Sequence, residues 1–311
     1  MSKVIEVISV NVSDKKGIIK HPVNEILLSA EGIVNDAHAG KWHRQVSMLG
    51  IESTDRFSAA AGRKINCGEY AENITTQGME LILAKPFDMF INSEVHLEVT
   101  QIGKECHGHS CNIFKEVGNC VMPKEGIFCR VKKTGKLKAG DQLEYVPKIF
   151  KVAVITLSDR AFAGEYKDLS GPAIIEMLED YFKIKGRPLQ VIYHLLPDHS
   201  EQLKECFLNE IKDGVDVIIT TGGTGIGMKD ITIETIQPLL DKEVPGIMEM
   251  IRMKYGAEKP NALLTRSIAG VKEKSLVYTL PGSVKAVKEY MPEIFKTMEH
   301  MMYMLHGIDA H

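Results

Sequence analysis

At 311 residues, with 44% hydrophobic and 25% charged side chains, the sequence has the make-up of a globular protein and the length for two domains. A formal net charge of −3 offers no general attraction to nucleic acid or to an anionic membrane, and no stretch approaches the ~20 apolar residues of a membrane span. Residues 1–6 lack the apolar core of a secretory signal, so a cytoplasmic location is expected, with the six cysteines as thiols rather than a disulfide framework.

The first half punctuates as a β-rich domain. Residues 4–10 are rich in β-branched side chains and partly alternate, which predicts a strand, and 25–28 and 46–49 are shorter strand candidates. A helix is expected near 53–61, an alternating strand at 94–100, and further strands at 126–132 and 142–146, separated by glycine turns. Many short strands and few helical stretches point to a barrel or folded sheet. Four cysteines (Cys106, Cys111, Cys120 and Cys129) fall in one segment, with His107 and His109 between the first two. Cysteine and histidine are the usual ligands of Zn²⁺, but the spacing is not that of a Cys-x-x-Cys pair. Thiols made reactive by neighbouring imidazoles, or inert buried thiols, are the other readings, and Cys67, Cys129 and Cys206 carry only the inert one.

This half resembles the MOSC family, on Asp36-Ala37-His38-Ala39-Gly40-Lys41-Trp42, Arg44-Gln45-Val46-Ser47, Gly68-Glu69-Tyr70-Ala71-Glu72-Asn73-Ile74, Val99-Thr100-Gln101 and Gly126-Ile127-Phe128. The resemblance implies a β-barrel that binds the molybdenum cofactor or carries sulfur through a cysteine. Both Cys106 and Cys111, with His107 beside them, fit versions of that pattern.

From about residue 148 the pattern changes to strands alternating with helices, the mark of a doubly wound, mostly parallel α/β sheet. Strands are expected at 151–157, 189–195, 215–219 and 275–280, and helices at 170–182, 201–212, 245–255 and 285–305. Methionines of the last helix are expected as packing rather than ligands. The third strand runs into Thr220-Thr221-Gly222-Gly223-Thr224-Gly225-Ile226-Gly227-Met228-Lys229-Asp230. Four glycines in six positions let backbone N–H groups approach an anion closely. This is not a P-loop, because Gly227 is followed by Met228-Lys229-Asp230 rather than Lys-Ser/Thr. Nor is it a dinucleotide fingerprint, which starting at Gly223 would need glycine where Met228 stands.

In such a sheet the loops after successive parallel strands open onto one carboxyl edge. Besides the glycine loop they bring Ser158 and Asp159, then Asp198, then Pro281-Gly282-Ser283 with Lys285. An anion cradle with carboxylates beside it suits a Mg²⁺-dependent reaction at phosphate. Any single aspartate there can equally be a helix cap, as Asp198 before His199-Ser200 would be.

On Ser158-Asp159-Arg160, Asp168-Leu169-Ser170-Gly171, Leu196-Pro197-Asp198, residues 220–225 with Asp230, Arg266 and Leu280-Pro281-Gly282-Ser283, this half resembles the MogA/MoaB family. That resemblance implies a molybdopterin-binding fold that adenylylates molybdopterin with Mg-ATP, with Asp198 and Asp230 as its two functional aspartates and Mg²⁺ ligands. It further implies Ser158, Asp159, Thr221, Gly222, Gly223, Thr224, Gly225, Pro281, Gly282, Ser283 and Lys285 as the nucleotide- and pterin-binding set, a homotrimer or multiple of one, and a molybdenum insertase and molybdoenzymes downstream. The expected organisation is a MOSC-like barrel at 1–147 and a MogA/MoaB-like domain at 148–311. A catalytically silent carrier of molybdopterin is the rival reading, against which the retention of both aspartates weighs.

Overall fold

The computed structural model describes residues 3–105 and 120–308, divided into two compact units, the second being Ile149–His306 and the first the residues up to Lys148 together with those from Gly307. Cys106, His107, His109 and Cys111 lie outside the described residues.

The first unit contains β1 (Lys3–Val12), β2 (His21–Val23), β3 (Glu25–Ser29), β4 (Gly32–Ile33), β5 (Val46–Gly50), β6 (Ile74–Gln77), β7 (Met89–Ile91), β8 (His96–Ile102), β9 (Ile127–Lys133), β10 (Gly135–Lys138) and β11 (Gln142–Val146). Seven of them close a ring in the order β1-β11-β7-β8-β9-β5-β6 and back to β1, with β2 paired on the outside of β1. Strands β10, β3 and β4 form a separate small sheet. Alternation places Ile5, Val7, Val46, Met48, Ile74, Leu97, Val99 and Leu143 in one buried cluster, the barrel interior. Strand β5 is buried on both faces. Val46 and Met48 point into the barrel, while Leu49 joins Ile65, Tyr70, Val121, Met122 and Phe128 in a second cluster. That double burial explains its continuous apolar run. Full burial of each such side chain contributes about 1.5–3 kcal/mol before chain entropy is counted.

The second unit is a sheet of β12 (Phe150–Leu157), β13 (Leu189–Leu196), β14 (Val217–Thr221), β15 (Lys242–Glu243), β16 (Ala269–Lys272) and β17 (Ser275–Leu280), in the order β13-β12-β14-β17-β16-β15. The first four are mutually parallel, and β16 and β15 add antiparallel pairings at the far edge. Ala153, Ile155 and Leu157 pack with Leu203, Phe207 and Ile211 of the helix Ser200–Lys212. Residues of opposite parity face the other way, and there Phe150 meets Phe182 of the helix Ser170–Ile184 with ring centroids 5.3 Å apart. Tyr181 of that helix stacks on Phe295 of the helix Val284–Leu305 at 4.3 Å. Helices therefore cover both faces of the sheet. Met291, Met298 and Met302 of the last helix are buried as packing.

Candidate functional site: four loops at the carboxyl edge

The last residues of the four parallel strands stand in register. Leu196 lies beside Leu157, Thr156 beside Thr221, and Thr221 beside Leu280. Because the strands are parallel and adjacent, the loops that follow leave from one edge, the position at which open α/β sheets bind ligands.

The glycine loop is held at its start by hydrogen bonds only glycine geometry permits. Gly222 sits at φ 102° and Gly223 at φ 61°. A Cβ on Gly222 would stand 2.3 Å from the carbonyl oxygen of Leu157. Gly222 N–H donates to Leu280 O at 3.0 Å, and its carbonyl accepts Thr232 Oγ1 at 2.7 Å. Thr221, which the sequence offered as a ligand, is instead fully buried, with its hydroxyl donated to Pro281 O at 3.0 Å. Both groups are committed to the scaffold because Thr221 is the last residue of β14, not the first of the loop. The N–H groups of Gly223, Thr224 and Gly225 have no acceptor among the described residues. Successive unspent backbone donors of this kind are what an anion-binding concavity uses.

Asp230 closes this loop. Its N–H donates to Gly227 O at 3.0 Å while its Oδ2 accepts Gly227 N–H at 2.7 Å. Arg266 belongs to a sequence motif, but its position in the chain gives no sign of a part in the site. Its Nε donates to Gly225 O at 2.7 Å, its Nη2 to Asp230 O at 3.1 Å, and its guanidinium pairs with Glu234. One rigid fork thus fixes the middle and the end of the loop to the helix Thr232–Ile236.

The loops after β12 and β13 are tied to each other. Asp159 N–H donates to Asp198 Oδ2 and Asp198 N–H donates to Asp159 Oδ1, each at 3.0 Å. Asp198 therefore caps the turn that begins at Asp159, not the helix after it, which starts from His199. Lys229 of the glycine loop reaches Asp159 Oδ2 at 2.5 Å, and this ammonium holds the Asp159 carboxyl below its usual range. Ser158 accepts Ala161 N–H at 3.2 Å and shares a 2.8 Å hydrogen bond with Tyr166 OH. Asp168 is a structural cap. It accepts Ser170 N–H, Gly171 N–H, Thr156 Oγ1 and Tyr193 OH at 2.7–3.0 Å. Burial works to raise its carboxyl, but the hydroxyl donors led by Tyr193 and Thr156 hold it low.

From the fourth loop, Gly282 packs on Gly222, where an added Cβ would come within 3.3 Å of the Gly222 Cα. Ser283 caps the helix Val284–Leu305 by accepting Ala286 N–H at 3.2 Å, and Lys285 is exposed in its first turn. Among the described residues no three His, Cys, Asp or Glu side chains gather into a metal cage. Asp198 and Asp230 stand on separate loops, and Mg²⁺ usually takes only one or two carboxylates together with substrate phosphate oxygens and water.

In the barrel unit, the MOSC-like residues meet around Asp36. Its carboxylate accepts Ser13 N–H at 3.1 Å, Lys20 Nζ at 2.5 Å, His38 N–H at 3.0 Å and Asn73 Nδ2 at 3.1 Å. Burial works to raise this carboxyl, but the bonds from His38 and Lys20 hold it far below the usual range. Lys20 is fully buried, and burial lowers its ammonium despite Asp36. Nothing in the sequence around Lys20 signalled that burial. Glu72 is fully buried, with Oε1 accepting Gly68 N–H at 2.5 Å and Thr75 Oγ1 at 2.9 Å, while Oε2 has no partner among the described residues. Trp42 donates Nε1–H to His38 O at 2.9 Å, with the Arg44 guanidinium 4.9 Å from its ring centroid.

Comparison with known proteins agrees with the two-part architecture. The second unit is an α/β fold with a glycine loop and carboxylates on the loops at the carboxyl edge of its parallel strands. Residues 153–300 match the family described as "Probable molybdopterin binding domain", and residues 35–144 match the MOSC domain. The chain is 42% identical over 163 residues to the molybdopterin adenylyltransferase of Pyrococcus furiosus, across 50% of this chain and 92% of that protein. It is 34% identical over 157 residues to the molybdopterin adenylyltransferase of Helicobacter pylori, across 50% of this chain and 88% of that protein. The crystal structure of the molybdopterin biosynthesis enzyme MoaB from Thermus thermophilus is 36% identical, covers 51% of this chain and 97% of its own, and superposes with a TM-score of 0.46. The chain belongs to the MogA/MoaB molybdopterin-binding family through its C-terminal half, joined in one polypeptide to an N-terminal MOSC domain.

Proposed function

We propose that the C-terminal unit is a molybdopterin adenylyltransferase of molybdenum cofactor biosynthesis, built on a doubly wound sheet and working as a trimer or a multiple of one. In the reaction the terminal phosphate oxygen of molybdopterin attacks the α-phosphorus of ATP. The bond to the bridging oxygen breaks, and pyrophosphate leaves with its electron pair. The observation that carries this reading is the run of unspent N–H donors at Gly223, Thr224 and Gly225, set on the same sheet edge as Asp198 and Asp230. The 42% identity to a molybdopterin adenylyltransferase supports it.

The three N–H groups would hold phosphate, where preorganised dipoles cost no reorganisation as charge develops. Asp198 and Asp230 would hold Mg²⁺, which supplies charge neutralisation between the attacking and leaving oxygens. Ser158 and Asp159 would border the nucleotide, and Ser283 and Lys285 the pterin side. Thr221, Gly222, Pro281 and Gly282 shape the floor beneath them. The MOSC unit would bind the molybdenum cofactor or carry sulfur through Cys106 or Cys111. Product would then pass to a molybdenum insertase.

Incubating the protein with molybdopterin, ATP and Mg²⁺ and weighing the bound small molecules by mass spectrometry tests the proposal. Adenylylated molybdopterin is expected. Molybdopterin bound but unchanged after ATP would make the protein a carrier.

A further inference from the structure

Among the described residues Arg266 and Lys229 are the cations bonded at the glycine loop, and they are held very differently. Arg266 spends its guanidinium on Gly225 O, Asp230 O and Glu234, all within the scaffold. Lys229 lies inside the loop itself, next to Asp230, with 78% of its side chain exposed and its Nζ on Asp159 Oδ2 at 2.5 Å. Asp159 is the partner that Asp198 caps and is capped by. The ammonium therefore sits on one member of a mutually bonded carboxylate pair whose other member is Asp198.

An exposed ion pair of this kind is weak, so releasing it costs little. A lysine on a flexible stem is also a natural point-charge partner for phosphate. A divalent cation arriving at Asp198 would find an ammonium already neutralising the adjoining carboxylate, and the two positive charges repel.

We propose that Lys229 is a phosphate-contacting residue stored on Asp159, which leaves that carboxylate as a divalent cation reaches the neighbouring Asp198 and turns to the triphosphate of the nucleotide. The inference rests on the Mg-ATP reading of the site. It makes Lys229 a competitor of the metal in the free protein and a ligand of the nucleotide in the complex, two roles with opposite signatures.

The test uses the full chain and its Lys229→Gln and Lys229→Arg variants. Without nucleotide, Mn²⁺ is titrated and followed by paramagnetic resonance. Lys229→Gln is expected to bind Mn²⁺ up to about fivefold more tightly, because the stored cation is gone. With Mg-ATP and molybdopterin, the same variant is expected to raise the KM for ATP about tenfold with a smaller change in kcat, the pattern of a lost contact to bound substrate. Lys229→Arg is expected to restore most of that KM. Unchanged or weaker Mn²⁺ binding in Lys229→Gln overturns the stored-cation role, and an unchanged KM for ATP overturns the phosphate contact. A wild-type protein that releases no pyrophosphate would sink the adenylylation reading alone, since the Mn²⁺ titration still decides whether Lys229 guards the carboxylates.

Discussion

Asp159 and Asp198 cap each other across two loops, each backbone N–H donating to the other's carboxylate at 3.0 Å. This exchange makes Asp198 both a structural acceptor and a carboxylate at the rim of the proposed site, and the two parts are separable. Asp198→Asn keeps an oxygen to accept from Asp159 and should melt within about 1 °C of wild type. Asp198→Ala leaves that N–H unsatisfied and should cost about 1 kcal/mol, roughly 2–4 °C for a unit of this size. Equal melting of the two variants would show that the exchange contributes nothing to stability.

Gly222 is a second point where geometry decides. At φ 102°, with the Leu157 carbonyl oxygen 2.3 Å from any Cβ, Gly222→Ala must move backbone and is expected to lose more than about 3 kcal/mol. Gly246, in the first turn of the helix Pro245–Gly256, has nothing within 4 Å of an added Cβ. Gly246→Ala should be neutral or stabilising by about 0.5 kcal/mol. Thermal melts of the pair check the contrast.

Burial raises the Glu72 carboxyl above its ordinary value, so the folded barrel binds that proton more tightly than the unfolded chain does. The resulting stability is fully present below the unfolded value of ~4.3 and is lost as pH rises through the folded value. Glu72→Gln keeps an acceptor for Gly68 N–H and Thr75 without a buried charge. Its melting temperature should exceed wild type at pH 8, and the two curves should converge near pH 4. A variant less stable than wild type at pH 8 would contradict the assignment.

Much of the second unit was legible because its signals are local. Continuous apolar strands, helices of 3.6-residue period and the glycine loop each announce themselves within a dozen residues, and strand ends fell within one or two residues of expectation. The antiparallel edge was not visible. Lys242–Glu243 has two residues and Ala269–Lys272 carries a glycine, too little pattern for a strand to show. In the first unit the short strands Met89–Ile91 and His21–Val23 escaped for the same reason. At the proposed site, the glycine loop and the two aspartates stand out in the sequence, whereas the contacts that support them do not. Arg266 reaches Gly225 across 41 positions and Lys20 reaches Asp36 from a polar turn, pairings that no local pattern encodes. Thr221 shows the reverse case, a hydroxyl beside a loop that the sequence cannot show to be bonded to the Pro281 carbonyl.

The two units are each expected to fold alone. Fragments 1–147 and 148–311 should both be soluble and give single cooperative thermal transitions. Solubility of either fragment only in the presence of the other would mean that the halves share a core.

The most direct measurement for the central claim is pyrophosphate release from ATP in the presence of molybdopterin and Mg²⁺, by wild type, Asp198→Asn, Asp230→Ala and the double variant. Each carboxylate is proposed to act on charge that develops in the transition state, where removing one such group typically costs ~10²–10³ in rate. Each single variant should fall by about that factor while Asp198→Asn keeps its fold, with molybdopterin still binding. Wild-type-like release by the double variant would contradict the account and leave molybdopterin carriage as the function of this unit.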